Sequence, residues 1–262
     1  TTVVFNENGP SMIWCPTQGH FDVRARVAQL LNLELGQIKV VASEIGGGFG
    51  GKTTVYLEPV ALILSKKSGR PVKMEMSRGD VFRASGPASA SQSLIKVGAK
   101  MDGTITAMQA TLHYEAGAFQ GSPMGPGCMT VFTPYDVENL YVEGFDVVVN
   151  KPKVAAYRAP GAPQSEFAAE MAVNELAKKI GMDPIEFRLK NAAKEGTQTI
   201  YGPKLKVVGL EACLEAAKAS PHYNAPIPEN VGRGLAAGFW FNIGGQSSVI
   251  INLNPDGTGT II

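Results

Sequence analysis

The feature that most limits the possible folds is a pair of long β-type runs on either side of Asp102-Gly103. The runs read SLIKVGAK and TITAMQATLHYE, and both carry many residues typical of strands. Asp-Gly between two such runs is a hairpin signal, because both residues tolerate the positive φ angles of a tight turn. The chain is therefore predicted to contain a long antiparallel hairpin, which excludes an all-helical fold.

Two consecutive helices are predicted further along the chain. Residues from Pro163 to Ile180 place apolar side chains at helical spacing, and Gly181 ends the pattern. Asp183 followed by Pro184 predicts the capped start of a second helix, MDPIEFRLKNA. Four apolar side chains of these helices are expected in the core: Phe167, Met171, Leu176 and Ile185.

The remaining segments mix strands and helices in no regular order. Helices are expected from Phe21 to Leu33 and from Val55 to Lys66, where Pro59 indicates a kink or a late start. The stretch GAFQGSPMGPGCM is expected to form a packed irregular loop. Strands are expected at Thr2 to Phe5, Ser11 to Cys15, QIKVVASEI, RPVKMEMSR and Tyr141 to Asn150. This order predicts an α+β fold with mixed and antiparallel sheets and packed helices, divided into regions 1–150 and 151–262.

The composition excludes several classes of function. Hydrophobic residues make up 44% of the chain and charged residues 18%, as in ordinary globular proteins. Lys and Arg number 24 against 23 Asp and Glu, so no basic excess indicates binding to nucleic acid or to a membrane. The three cysteines form no C-x-x-C pattern and are expected to be reduced, which favours the cytoplasm. Because the last residues, VIINLNPDGTGTII, stop inside an apparent hairpin, we expect a larger polypeptide.

A glycine-rich segment, GGGFGGKT at residues 46–53, lies between a predicted strand and a predicted helix. It fits the phosphate-loop template G-x-x-x-x-G-K-[ST], and its glycines would let backbone N–H groups approach a large anion. A phosphate-loop enzyme also needs a carboxylate for Mg²⁺ after a second buried strand, and Asp146 precedes its apolar run. The template match alone therefore leaves the ligand open.

A second glycine-containing turn, YRAPGAPQ at residues 157–164, directly precedes the long amphipathic helix. Backbone N–H groups at a helix start attract anions, and Arg158 adds a positive charge. Two such turns in one chain indicate a ligand larger than a nucleoside triphosphate, held from several sides.

In these two segments, in CPTQ at 15–18 and in the helices up to residue 191, the chain resembles the molybdopterin-binding subunit of the xanthine oxidase and aldehyde oxidase family of molybdenum hydroxylases. The resemblance covers the N-terminal half of the family's cofactor-binding region. It implies that molybdopterin, often as a cytosine dinucleotide in bacteria, is the cofactor, and that no protein side chain ligates the molybdenum. Matched cofactor-binding positions are Gln18, Gly47, Gly48, Phe49, Gly50 and Arg158.

The resemblance also implies the chemistry, which is oxidative hydroxylation with water as the oxygen donor. Electrons leave through iron–sulfur (2Fe-2S) and FAD centres on partner domains or subunits. The family's glutamate base and a second cofactor segment of the GQG type are expected beyond residue 262, in the C-terminal remainder of the subunit. Glu44, Glu58, Glu166 and Glu170 do not fit the glutamate motif, so no catalytic residue is assigned within the chain. The three histidines, His20, His113 and His222, share no metal-ligand spacing.

Positions that face the substrate in the family are matched by Thr53, Arg78, Pro160 and Trp240. Purine-oxidising members carry glutamate where this chain has Thr53, and phenylalanine where it has Pro160. Arg78 matches their substrate arginine and is expected at a strand end. Carbon monoxide oxidisers carry a cysteine where this chain has Ala159. The resemblance therefore favours an aldehyde or an aromatic N-heterocycle as the small-molecule substrate.

Two other interpretations stay open from the sequence alone. The chain could be a phosphate-loop module that binds a nucleotide through Lys52. Alternatively, it could be an isolated domain without activity of its own.

Overall fold

The structure is a computed structural model that describes residues 1–241 and 249–261. It has α+β architecture with mixed and antiparallel sheets, as predicted. None of the helices in these two ranges is both long and apolar enough to cross a membrane. The same residues contain no cluster of three or more His, Cys, Asp or Glu side chains that could hold a metal ion.

The first sheet is built by the N-terminal strands Thr2–Val4 (β1), Ser11–Cys15 (β2), Ile38–Ala42 (β3) and Val72–Lys73 (β4). Its order is β3-β2-β1-β4, and only the β2–β3 pair is parallel. Helices His20–Leu31 (α1) and Glu58–Ser68 (α2) pack on this sheet around buried apolar residues that include Val3, Ile13, Val27, Ile38 and Leu62. Pro59 lies in the first turn of α2, so the late helix start is confirmed.

The predicted hairpin forms the second sheet. Strands Ser91–Ala99 (β5) and Ile105–Gly117 (β6) pair antiparallel, and Asn139–Val148 (β7) pairs with β6 in parallel. The long helix Ala162–Ile180 (α5) and the capped helix Pro184–Asn191 (α6) follow as expected. The largest core packs this sheet against α5 and includes Leu112 and Val173, on either side of residue 150.

The remaining elements are short. A helix Arg78–Ala84 (α3) precedes the hairpin, and a helix Met124–Thr130 (α4) lies between β6 and β7. Helices Leu210–Ala219 (α7) and Pro221–Asn224 (α8) follow α6. The strands Ile251–Leu253 (β8) and Gly259–Ile261 (β9) form an antiparallel pair.

Three sequence expectations are wrong in detail. The run RPVKMEMSR contains only the two residues of β4, and Arg78 begins α3 because Ser77 caps that helix by accepting a 3.2 Å hydrogen bond from the Asp80 N–H. The expected irregular loop GAFQGSPMGPGCM contains most of α4. Of the four expected core side chains, Ile185 is buried and Leu176 packs on the main core, whereas Phe167 and Met171 are 70% and 48% exposed.

Candidate cofactor site

The Gln18 segment and the glycine loop meet because β2 and β3 are parallel neighbours. Their carboxyl ends lie at the same edge of the sheet, where the Ser43 N–H donates to the Cys15 carbonyl over 3.1 Å. The chain then enters the Gln18 segment, residues 16–19, after β2 and the glycine loop, residues 46–51, after β3. A second backbone hydrogen bond of 3.0 Å, from Gln18 to the carbonyl of Lys52, joins these two segments.

The side chain of Gln18 is held by the far end of the glycine loop. Its Oε1 accepts hydrogen bonds from the Gly50 N–H at 2.9 Å and the Lys52 N–H at 3.1 Å. The opposite amide orientation would place the NH₂ group against two donors, so these contacts select the orientation. Gln18 is exposed, and its NH₂ group therefore remains available as a donor at the surface of the site.

The glycines allow an approach that side chains would prevent. A Cβ added to Gly48 would lie 2.5 Å from Gln18 Oε1. Gly47 and Gly50 have φ angles of 114° and 97°, which residues with a side chain rarely adopt. Within the described residues, the N–H groups of Gly47, Gly48 and Phe49 donate no hydrogen bond. The loop therefore presents a row of free donors.

The turn at residues 157–164, which we call the arginine turn, lies directly against this loop. The Arg158 N–H donates to the carbonyl of Phe49 over 2.8 Å. A Cβ added to Gly50 would meet the carbonyl oxygen of Ala156 at 2.8 Å. Two segments that are more than 100 residues apart in sequence thus share one surface.

The backbone at this contact is strained. Phe49, Arg158 and Ala159 have φ angles of 52°, 21° and 54°, although none of them is glycine. Such conformations cost about 1–3 kcal/mol each and cluster at binding and active sites. The side chain of Phe49 is 61% exposed rather than packed in a core, so burial of its ring does not explain the strain.

Tyr114 on β6 and Pro123 before α4 pack against the arginine turn at Gly161. The carbonyl of Gly161 accepts a 2.6 Å hydrogen bond from the buried hydroxyl of Tyr114, whose pKa is raised to about 12 by burial. A Cβ added to Gly161 would lie 2.2 Å from the carbonyl oxygen of Pro123, before α4. These contacts are not predicted by the sequence pattern. The usable signal was a glycine within two residues of a proline at each contact, GSP at 121–123 and APG at 159–161.

The four predicted substrate-facing residues lie in different surroundings. Thr53 adjoins the site, since its hydroxyl donates to the Gly50 carbonyl over 2.8 Å, and Pro160 is half-buried in the arginine turn. Arg78 is exposed on α3 beside Phe82, and no described hydrogen bond or ion pair joins it to either loop. Trp240 is 41% exposed, and its ring lies 5.3 Å from that of Phe241.

Two carboxylates of α5, Glu166 and Glu170, hold the segment 234–241. Glu170 is buried and accepts hydrogen bonds from Arg188, from the Tyr135 hydroxyl and, at 2.6 Å, from the Ala237 N–H. Glu166 accepts a 2.9 Å hydrogen bond from the Phe239 N–H. Both carboxylates therefore anchor a neighbouring segment.

Burial raises the pKa of Glu166 from 4.5 to about 7, and the charge of Glu170 adds to this effect. The folded state therefore favours the protonated form, and the contribution of Glu166 to the free energy of unfolding should fall as the pH rises from 4.5 to 7. Since Gln cannot ionise, we expect Glu166→Gln to match the wild type at pH 4.5 and to exceed it by about 1–2 kcal/mol at pH 8, after discounting for partial exposure. Urea unfolding of both proteins at the two pH values measures this difference, and equal stabilities at pH 8 would contradict it.

The phosphate-loop interpretation does not fit this geometry. In that motif a helix begins at the lysine and hydroxyl residues, so that its N-terminus faces the phosphates. Here α2 begins only at Glu58, and the Lys52 ammonium turns back to donate to the carbonyl of Ile45. The lysine is therefore directed into the loop itself.

Comparison with known proteins adds three findings. Residues 1–192 match the model of the molybdopterin cofactor-binding domain family. The chain is 33% identical over 219 residues to the nicotinate dehydrogenase large molybdopterin subunit of Eubacterium barkeri, which covers 81% of this chain and 51% of that protein. It is 30% identical over 252 residues to the aldehyde oxidoreductase of Megalodesulfovibrio gigas, covering 90% of this chain and 27% of the relative.

The fold is also similar to solved structures. The aldehyde oxidoreductase from Desulfovibrio desulfuricans superposes with a TM-score of 0.88 at 26% identity, over 99% of this chain and 30% of that one. The chain spans about half the length, or less, of the relatives it matches.

Proposed function

Because the chain belongs to the molybdopterin cofactor-binding domain family, we propose that its two converging loops hold molybdopterin and its molybdenum between them. The observation that carries the proposal is the 2.8 Å hydrogen bond from Arg158 to Phe49, which places the two loops side by side. The proposed contact residues are Gln18, Gly47, Gly48, Phe49, Gly50 and Arg158.

The donor set fits such a group. Free N–H groups of the glycine loop, the Gln18 NH₂ group and the Arg158 guanidinium are all suited to oxygen-rich anions. The close approach of the Gln18 side chain to Gly48 brings the two segments of this donor set together. When bound, molybdopterin would supply the two-electron oxidation of substrate, while the protein binds it and orients it.

The proposed reaction is hydroxylation of an aldehyde or an aromatic N-heterocycle with water as the oxygen donor. Two relatives support this class by name, one a nicotinate dehydrogenase and the other an aldehyde oxidoreductase. Thr53 and Pro160 adjoin the site and are proposed to face the substrate. Arg78 and Trp240 remain proposals from the resemblance alone.

The activity is proposed for a longer polypeptide. Since the relatives are longer than this chain, we propose that a C-terminal remainder completes the site and supplies the glutamate base. Iron–sulfur and FAD domains or subunits are the proposed electron acceptors, and the cytosine dinucleotide is the proposed pterin form. The proposed compartment is the cytoplasm.

The test is to produce the full-length polypeptide with its partners in cells that make the cofactor. Molybdenum and pterin are quantified, and aldehydes and N-heterocycles are assayed in ¹⁸O-labelled water. We expect stoichiometric molybdenum and pterin and ¹⁸O in the product. A correctly folded complex without molybdenum and pterin would refute the proposal.

Arg158→Ala is expected to lower cofactor retention about 10-fold or more, because a charge-assisted hydrogen bond to an anion contributes about 1.5–3 kcal/mol. Molybdenum and pterin content after gel filtration measures the change. Arg26→Ala is the matched control, since Arg26 is exposed on α1, outside the site. Equal loading of the two variants would argue against a role for Arg158.

A further inference from the structure

Lys52 is hydrogen-bonded both to the Gln18 segment and to the residue that precedes the glycine loop. Its N–H donates to Gln18 Oε1 over 3.1 Å, and its carbonyl accepts from the Gln18 N–H and the Thr17 hydroxyl at 3.0 and 3.2 Å. Its ammonium donates to the carbonyl of Ile45, at the opposite end of the loop. One residue thus contacts both ends of the segment 46–51 and the neighbouring segment.

The hydrogen bond between the Lys52 ammonium and the Ile45 carbonyl joins the two ends of the glycine loop. Ile45 and Lys52 flank the loop, and within it Gly51 N–H donates to the Gly48 carbonyl over 2.8 Å. A loop with five glycines among six residues loses much conformational entropy when it is ordered. A charged hydrogen bond across its ends offsets part of this cost.

The same closure fixes the orientation of the Gln18 amide. Gly50 and Lys52 can donate together to Gln18 Oε1 only while the end of the loop stays folded over that side chain. If the loop opened, Gln18 would lose both donors and its amide could rotate. The NH₂ group would then no longer be directed toward a ligand.

We propose that Lys52 is a positioning residue. The hydrogen bond from its ammonium to the Ile45 carbonyl, which we call the clip, keeps the glycine loop closed and thereby directs the Gln18 NH₂ group toward the bound anion. The second half of this statement rests on the proposed function. The lysine of the phosphate-loop-like pattern thus acts on the protein backbone.

The clip is tested by amide hydrogen exchange on the chain. We expect Lys52→Met to raise exchange at the Gly50 and Lys52 positions about 10-fold to 100-fold, because the lost hydrogen bond is a charged one. Lys67→Met makes the same chemical change on the exposed surface of α2 and should leave these rates unchanged. Lys52→Arg should restore most of the protection. Unchanged exchange in Lys52→Met would overturn the proposal.

A second variant covers the case in which Lys52→Met fails to fold. Gln18→Leu removes the shared acceptor and should raise exchange at the same two positions. Combined with Lys52→Met in a folded protein, it should add less than the sum of the single effects, because both act on one contact set. Protection at Gly50 and Lys52 that survives Gln18→Leu would overturn the proposal independently.

Cofactor content separates this inference from the proposed function. In the full-length polypeptide, Lys52→Met should lower molybdenum and pterin retention to a similar degree as Gln18→Leu. If the wild type carries no cofactor, the proposed function fails and the exchange data still decide on the clip. If the wild type and Lys52→Met are loaded equally and exchange equally, the clip fails.

Discussion

Gly50→Ala is expected to remove at least nine-tenths of the bound molybdenum and pterin while the fold survives. The added Cβ would lie 2.8 Å from the carbonyl oxygen of Ala156 and 3.1 Å from its Cβ, at a φ angle of 97°. Because the Ala156 carbonyl is backbone, the glycine loop and the arginine turn must move apart. A strained φ and a collision together cost about 2–5 kcal/mol, enough for a 10-fold loss.

The matched control is Gly46→Ala in the same loop. Gly46 has a φ angle of 64°, but an added Cβ would meet no atom within 4 Å. This variant carries backbone strain of about 1–2 kcal/mol without the collision, so it should retain most of the cofactor. Metal analysis and thermal unfolding of both variants measure the effect. Similar loading of the two variants would show that contact between the loops is not required.

Glu170→Ala is expected to destabilise the chain by about 3–5 kcal/mol, the largest stability effect we predict. The Arg188 side chain is only 1% exposed, and its Nη2 lies 2.6 Å from the Glu170 carboxylate. Removing that carboxylate leaves the guanidinium, the Tyr135 hydroxyl and the Ala237 N–H without their shared acceptor. A buried unpaired charge is the dominant cost.

Urea unfolding of the chain measures this loss, with Glu175→Ala as the control on an exposed position of α5. The double variant Glu170→Met and Arg188→Met should be less destabilised than the sum of the single changes, because no charge is left unpaired. A loss below about 1 kcal/mol in Glu170→Ala would contradict the account of this network.

The sequence predicted those parts of the fold in which local signals agree with the final packing. The hairpin at Asp102-Gly103 and the helix that ends at Gly181 are examples, because turn chemistry and periodicity point to the same structure. The family resemblance inferred from the two glycine segments, from CPTQ at 15–18 and from the helices up to residue 191 is confirmed by the family match.

The other parts of the fold and of the site depend on tertiary contacts, which the local sequence pattern does not specify. Phe167 has the spacing of a core residue, yet the packed face of α5 is the one that carries Ala169, Val173 and Ala177. From the sequence, Gly161 is an ordinary turn glycine. Only the structure shows that the Pro123 carbonyl would collide with a side chain there. Lys52 fits a phosphate-binding template, but its ammonium donates a hydrogen bond to the Ile45 carbonyl.

A structure of the cofactor-loaded protein would test the central claim most directly. We predict density for the pterin and molybdenum in contact with the backbone of Gly47 to Gly50 on one side and with the Arg158 turn on the other. A metal centre bound elsewhere, with both loops facing only solvent, would contradict the account.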